Sequence, residues 1–147
     1  MTDINSFISE ELSHRFGRDE NTVRQLNPLI LASVGDAVYT LNIRTHLVAT
    51  HDYTAHNLHA ASASMVCAAS QKAAFFRIEP LLTEEEQYIA KRGRNAHPGT
   101  IPKNADFSDY RIATALEAVF GYLSILEKND RIAELMKVIL EEPHETV

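Results

Sequence analysis

Two acids stand in stretches that are otherwise built for a hydrophobic core. Asp36 is the only acidic residue between Gln25 and Ile43, inside LILASVGDAVYTL, and Glu117 is the only one between Thr114 and Leu126, inside TALEAVFGYLSIL. Burying an ionised carboxylate without a partner is costly, so each acid must be paired, hydrogen-bonded or bound to a cation. Gly35 directly precedes Asp36, and Gly121 follows Glu117 by one helical turn. A mid-helix glycine costs about 1 kcal/mol relative to alanine, which points to close approach by another backbone or a ligand. If the two segments cross at their glycines, the carboxylates converge into an oxygen site for a hard cation such as Mg²⁺, completed by waters and a substrate phosphate. The competing arrangement is two unrelated structural acids, Asp36 neutralised by Arg44 or Arg111 and Glu117 by some other base.

A second constellation is basic. From Gln87 to Ala105 the chain carries Lys91, Arg92, Arg94 and Lys103 and no acid, although the whole molecule has a formal net charge of -6. Within KRGRNAHPGTIPKN, Gly93, Pro98, Gly99 and Pro102 interrupt regular structure and leave backbone N–H groups for an anion. A phosphate-contacting loop follows, with affinity that falls as salt is added. Alternatively, these cations only solvate a helix end and complement its dipole.

The elements that must hold these groups read as helices. Asn27 and Pro28 supply an N-cap and first-turn proline for a long helix whose Leu31, Val34, Val38 and Leu41 recur at helical spacing toward Leu47. His51–Thr54 connects to an alanine-rich stretch from Ala55 to Phe76, expected to form two helices broken near Ala61–Ser64. Thr83 and Glu86 have the spacing of a capping box for a helix from Glu84 to about Arg92. Beyond the basic loop, Asp106, Ser108 or Asp109 caps a helix with Ala113, Leu116, Val119, Phe120, Leu123 and Leu126 on its apolar face. Asn129 and Asp130 punctuate before a last amphipathic helix containing Ile132, Leu135, Val138 and Ile139, which Pro143 stops.

The expectation is a single all-α domain over 1–147, with 1–25 an N-terminal extension and 143–147 a polar tail. At 147 residues, 45% hydrophobic and 23% charged, the chain can build a real core and is no disordered tail. Five Gly and five Pro exclude a collagen-like or linker-dominated chain. The single cysteine, Cys67, forms no internal disulfide and, amid Met65, Val66, Ala68 and Ala69, reads as a small core residue in a reducing compartment. Met1–Glu20 lacks the basic start and apolar run of an export signal, and the longest nearly uncharged run is interrupted by Asp36. A soluble cytoplasmic protein without a membrane partner is expected.

Four motifs then carry a resemblance. Ser33-Val34-Gly35-Asp36-Ala37-Val38-Tyr39, Lys91-Arg92-Gly93-Arg94-Asn95, Pro102-Lys103-Asn104 and Leu116-Glu117-Ala118-Val119-Phe120-Gly121-Tyr122 occur in the order seen in Mini-ribonuclease III, and the match spans about Leu26 to Leu126. The resemblance implies a compact, homodimeric, ribonuclease III-like helical endonuclease domain without a separate double-stranded-RNA-binding domain. It implies Mg²⁺-dependent hydrolysis of phosphodiester bonds in double-stranded RNA, leaving 5′-phosphate and 3′-hydroxyl ends, and maturation of the 23S ribosomal RNA precursor. Asp36 and Glu117 take the family's metal-binding, catalytic role. Lys91, Arg92, Arg94 and Lys103, with hydrogen bonds from Asn95 and Asn104, become the RNA-binding candidates, since a duplex is read chiefly by shape and backbone. A two-fold dimer places identical sites for cutting both strands, with the apolar helix after Pro28 a candidate interface.

The chain departs from full-length ribonuclease III, which has further acids where Ala32 and Thr114 stand here. That leaves one or two metals open, with Asp106 or Asp109 as contributors from the helix start. Two rival functions are a noncatalytic RNA-binding or ribosome-assembly module on the same scaffold, and a zinc site at His56 and His59 with His51. Tyr39, Tyr53, Tyr110 and Tyr122 could stack on or hydrogen-bond to RNA, but tyrosines beside apolar helix faces are more often core residues, and they are left unassigned.

Overall fold

The structure, a computed structural model, describes residues 4–96 and 106–141. Lys103 and Asn104 lie outside those residues, as do Pro143 and the expected polar tail. Eight α-helices are described: α1 (Ile4–Phe16), α2 (Glu20–Arg24), α3 (Pro28–Thr50), α4 (Ala55–Val66), α5 (Ala68–Ile78), α6 (Glu84–Arg94), α7 (Phe107–Ile125) and α8 (Asn129–Leu140), with a 3-10 turn at Glu79–Leu81. Among the described residues there is no strand, as the all-α reading requires.

The caps explain the helix starts. Asn27 accepts a hydrogen bond from the Leu29 N–H at 2.9 Å, and Pro28 takes the first helical position of α3. The Thr83–Glu86 capping box is complete, each side chain accepting from the other's backbone N–H. Of the three residues considered for capping α7, Asp106 does so, accepting from Asp109 N–H at 3.1 Å.

Two boundaries differ from expectation. The break between α4 and α5 falls at Cys67, whose extended backbone (φ -66°, ψ 159°) ends one helix and starts the next. Cys67 is therefore exposed at a bend rather than packed in the core, and its Sγ donates to the Ser64 carbonyl and the Ser70 hydroxyl. Asn129 and Asp130 do not separate helices; they form the first turn of α8, after the left-handed Glu127 has ended the connection from α7.

Helix α7 is the hub. Ala113 through Leu116 and Ala118 through Leu123 are all buried, so the helix is apolar almost all round and needs neighbours on every side. Helices α3, α5, α6 and α8 supply them. The buried side of α3, Leu31, Ala32, Gly35, Tyr39, Ile43 and Leu47, packs toward this core, with Tyr39 edge-on to Phe120. Of the unassigned tyrosines, Tyr39 and Tyr122 are core residues, whereas Tyr53 stacks on His51 at the surface.

A polar tie closes the bundle's far side. Glu86, only 4% exposed, receives two hydrogen bonds from the Arg131 guanidinium of α8, at 2.8 and 2.9 Å. Burial opposes the charge on Glu86, but Arg131 and the Thr83 backbone outweigh it and hold the carboxyl below its ordinary range. Arg131→Ala should therefore cost about 2–3 kcal/mol of unfolding free energy, measured by denaturant titration. Because a depressed acid contributes stability that disappears as pH falls through its folded value, the gap between wild type and variant should close below pH 4.5.

Candidate active site

The crossing of α3 and α7 makes the site. A Cβ on Gly35 would overlap the Glu117 carbonyl oxygen, and one on Gly121 would overlap the Leu31 carbonyl oxygen. The two backbones thus touch at the glycines, as their positions beside the acids suggested. Asp36 and Glu117 leave neighbouring helices at this crossing and their carboxyl groups come within hydrogen-bonding reach of one another.

The expectation that both acids are sunk in the core needs correction. Asp36 is exposed and Glu117 is half-buried, although Gly35 and Gly121, where the two helices cross, are buried. The pair therefore forms a carboxylate site with one wall of protein and one open side. Burial pushes the Glu117 carboxyl up to about 8, the Asp36 charge and its hydrogen bond push the same way, and a hydrogen bond from Gln71 opposes them.

The bases that could have neutralised the pair are engaged elsewhere. Arg44 donates to the Ser62 hydroxyl at 3.4 Å, while Arg111 donates to the Arg94 carbonyl and the Asn95 side-chain oxygen. Lys72 is held by Asp109 at 3.1 Å and by Ser108. The further acids are occupied too: Asp106 caps α7, and Asp109 pairs with Lys72. At the positions where full-length ribonuclease III carries acids, Ala32 is buried and the Thr114 hydroxyl donates to the Tyr110 carbonyl of its own helix.

Two mutually repelling carboxyl groups, with no basic partner among the described residues, are a donor set that suits a hard divalent cation. Mg²⁺ in particular uses one or two carboxylates and fills the rest of its octahedron with water and substrate phosphate oxygens. Among the described residues no group of three or more His, Cys, Asp or Glu forms a cluster, and His56 and His59 are exposed on α4 with no third ligand.

A stability experiment isolates the repulsion. A folded-state acid raised from 4.5 to about 8 keeps its proton longer in the native protein than in the unfolded chain. Metal-free stability should therefore fall as pH rises through that window. Glu117→Gln removes the effect, so its melting temperature should equal the wild type's near pH 4.5 and exceed it by a growing margin toward pH 8. A margin that stays constant with pH would contradict the assignment.

The basic candidates divide. Lys91 and Asn95 are exposed at the end of α6, and Asn95 is its C-cap. Arg94 is half-buried, over the Phe75 ring and 3.6 Å from Glu79. Arg92 serves the fold instead, since its Nη1 donates to the Arg24 and Leu26 carbonyls at 2.5 and 3.0 Å and clasps the turn between α2 and α3. Charge spacing could not distinguish it from its neighbours.

Sequence reasoning missed Gln71. It lies on the buried face of α5 with Ala74, Phe75 and Ile78 and reaches Glu117 across the α5–α7 packing. The available signal was a lone polar residue at i, i+3, i+4, i+7 register with three apolar ones.

Comparison with known proteins identifies the family and the fold. Residues 29–128 match the family model described as the Ribonuclease III domain. The chain is 45% identical over 120 residues to a Mini-ribonuclease 3 of Brevibacillus brevis, covering 82% of this chain and 87% of that protein. It is 39% identical over 135 residues to one of Clostridium tetani, covering 91% and 85%. A crystal structure of a Fusobacterium nucleatum protein superposes with a TM-score of 0.72 at 30% identity, covering 80% of this chain and 94% of that one.

Proposed function

Since the chain belongs to the ribonuclease III family, as a member of its Mini-ribonuclease 3 branch, and is therefore a ribonuclease, we propose that it is a Mg²⁺-dependent endonuclease of double-stranded RNA. The observation that carries the reading is the Asp36–Glu117 pair, half open to solvent and without a basic partner among the described residues. A divalent ion bound there would offset the carboxylate repulsion and polarise a phosphodiester oxygen and the attacking water. Asp36 and Glu117 position that charge, and the rigid crossing of α3 with α7 keeps them in register while substrate approaches from the exposed Asp36 side.

Recognition falls to the α6 end and the segment after it. Lys91, Arg94 and Asn95 face the backbone of the duplex, Lys103 and Asn104 extend the same basic segment, and Arg92 acts through the turn it clasps. No helix among the described residues is long and apolar enough to cross a membrane. The enzyme acts in the cytoplasm, with precursor 23S ribosomal RNA as its substrate.

The dimer has a structural motive in α3. Ile30, Leu41 and Val48 are 54%, 65% and 63% exposed, and with Val34 and Ala37 they make a stripe at helical spacing, with steps of four, three, four and seven residues, on the side away from the core. A second copy laid on that stripe buries it and brings two sites to one duplex. Sedimentation equilibrium should report a dimer, and an active monomer would defeat this part.

The functional test is direct. Purified protein should cut long duplex RNA, and not single-stranded RNA or duplex DNA, with Mg²⁺ present and not with EDTA. Duplex binding without cleavage would instead mark a noncatalytic RNA-binding or assembly module, and cleavage in EDTA would remove the metal from the mechanism.

A further inference from the structure

The inward face of α5 repeats Gln71, Ala74, Phe75 and Ile78, three apolar side chains and one primary amide. Gln71 is 4% exposed. A buried amide without a partner is strongly disfavoured, and the group that meets this one is the Glu117 carboxyl. A hydrogen bond from the amide N–H₂ to the carboxylate restricts the rotamers open to Glu117.

The choice of a neutral donor is informative. A lysine or arginine at this position would neutralise Glu117 and compete with a divalent ion for it. The cation next in sequence, Lys72, is instead tied to Asp109 and Ser108. An apolar residue would leave Glu117 to choose its own rotamer against the repulsion of Asp36. An amide orients the carboxylate and spends none of its charge.

We propose that Gln71 is a positioning residue of the metal site, whose side-chain N–H₂ holds the Glu117 carboxylate in the orientation that shares an ion with Asp36. This rests on the reading of Asp36 and Glu117 as metal ligands. Such outer partners of metal ligands govern affinity as well as rate.

The test measures metal binding without RNA. Mn²⁺ is titrated into metal-free wild type and Gln71→Leu, free ion being read by electron paramagnetic resonance. The variant should bind Mn²⁺ about 10–100-fold more weakly. Its half-saturating Mg²⁺ for cleavage should rise by the same factor, while KM for duplex RNA stays put and saturating Mg²⁺ restores much of kcat. Equal Mn²⁺ affinity in a folded Gln71→Leu would overturn the proposal and leave Gln71 as core filling. Wild type that binds no Mn²⁺ would overturn the metal reading itself. If Gln71→Leu fails to fold, the wild type decides: the Gln71 side-chain N–H₂ signals in a ¹⁵N spectrum should shift on Mg²⁺ titration, and signals that stay fixed would overturn the proposal.

Discussion

Asp36→Asn and Glu117→Gln should each lower the rate of RNA cleavage by about 10³-fold or more, since the carboxylates together hold a charge that contributes several kcal/mol to the transition state. Each change keeps the size and shape of the side chain and removes only its negative charge. Neither side chain is part of the buried apolar cluster, so the fold survives. For Glu117→Gln, metal-free stability should rise at neutral pH, because the substitution removes a half-buried carboxyl that Asp36 repels. A variant that is inactive, still binds duplex RNA and melts later than wild type separates a functional acid from a structural one. Single-turnover cleavage, a duplex-binding isotherm and a thermal melt are the three measurements. Unchanged cleavage in both variants would remove the site from the reaction.

Gly35→Ala or Gly121→Ala should destabilise the protein by about 3 kcal/mol or more, beyond the usual range for overpacking, because the added methyl meets backbone and not a movable side chain. For a domain of this size that lowers the melting temperature by about 10 °C. The sign is decisive. Helix propensity alone predicts that glycine to alanine in mid-helix stabilises by about 1 kcal/mol, so a gain would mean the helices do not touch there. Cleavage should fall as well, since a methyl that separates α3 from α7 also separates Asp36 from Glu117. The denaturant midpoint and the Mg²⁺ dependence of cleavage should move together.

How much of this was legible along the chain depends on how local each feature is. The start of α3 at Asn27 and Pro28 and the capping box of α6 are completed within one helical turn, and both form where their spacing predicts. Asp36 and Glu117 were conspicuous because each is the lone acid of an apolar helix stretch. Cys67 misled because apolar neighbours suggest burial, yet a residue that breaks a helix is turned outward. Gln71 was passed over because glutamine is common on helix surfaces, although it shares one helical face with Ala74, Phe75 and Ile78. Arg92 looked equivalent to Lys91 and Arg94, and differs only because the end of α2 lies beneath it.

By itself, the order of residues determined the helices, their caps, the core stripe of each and the two acids that no near neighbour along the chain compensates. Those follow from periodicity and from hydrogen bonds that close within a few residues. Tertiary structure alone decided that the acids meet, that Arg44 and Arg111 are turned away, that Asp36 stays open to solvent and that an amide from α5 reaches Glu117. Each of these depends on how closely separate helices approach, and that distance is set by packing between segments remote in sequence, here by two glycines whose missing side chains let one backbone rest against another.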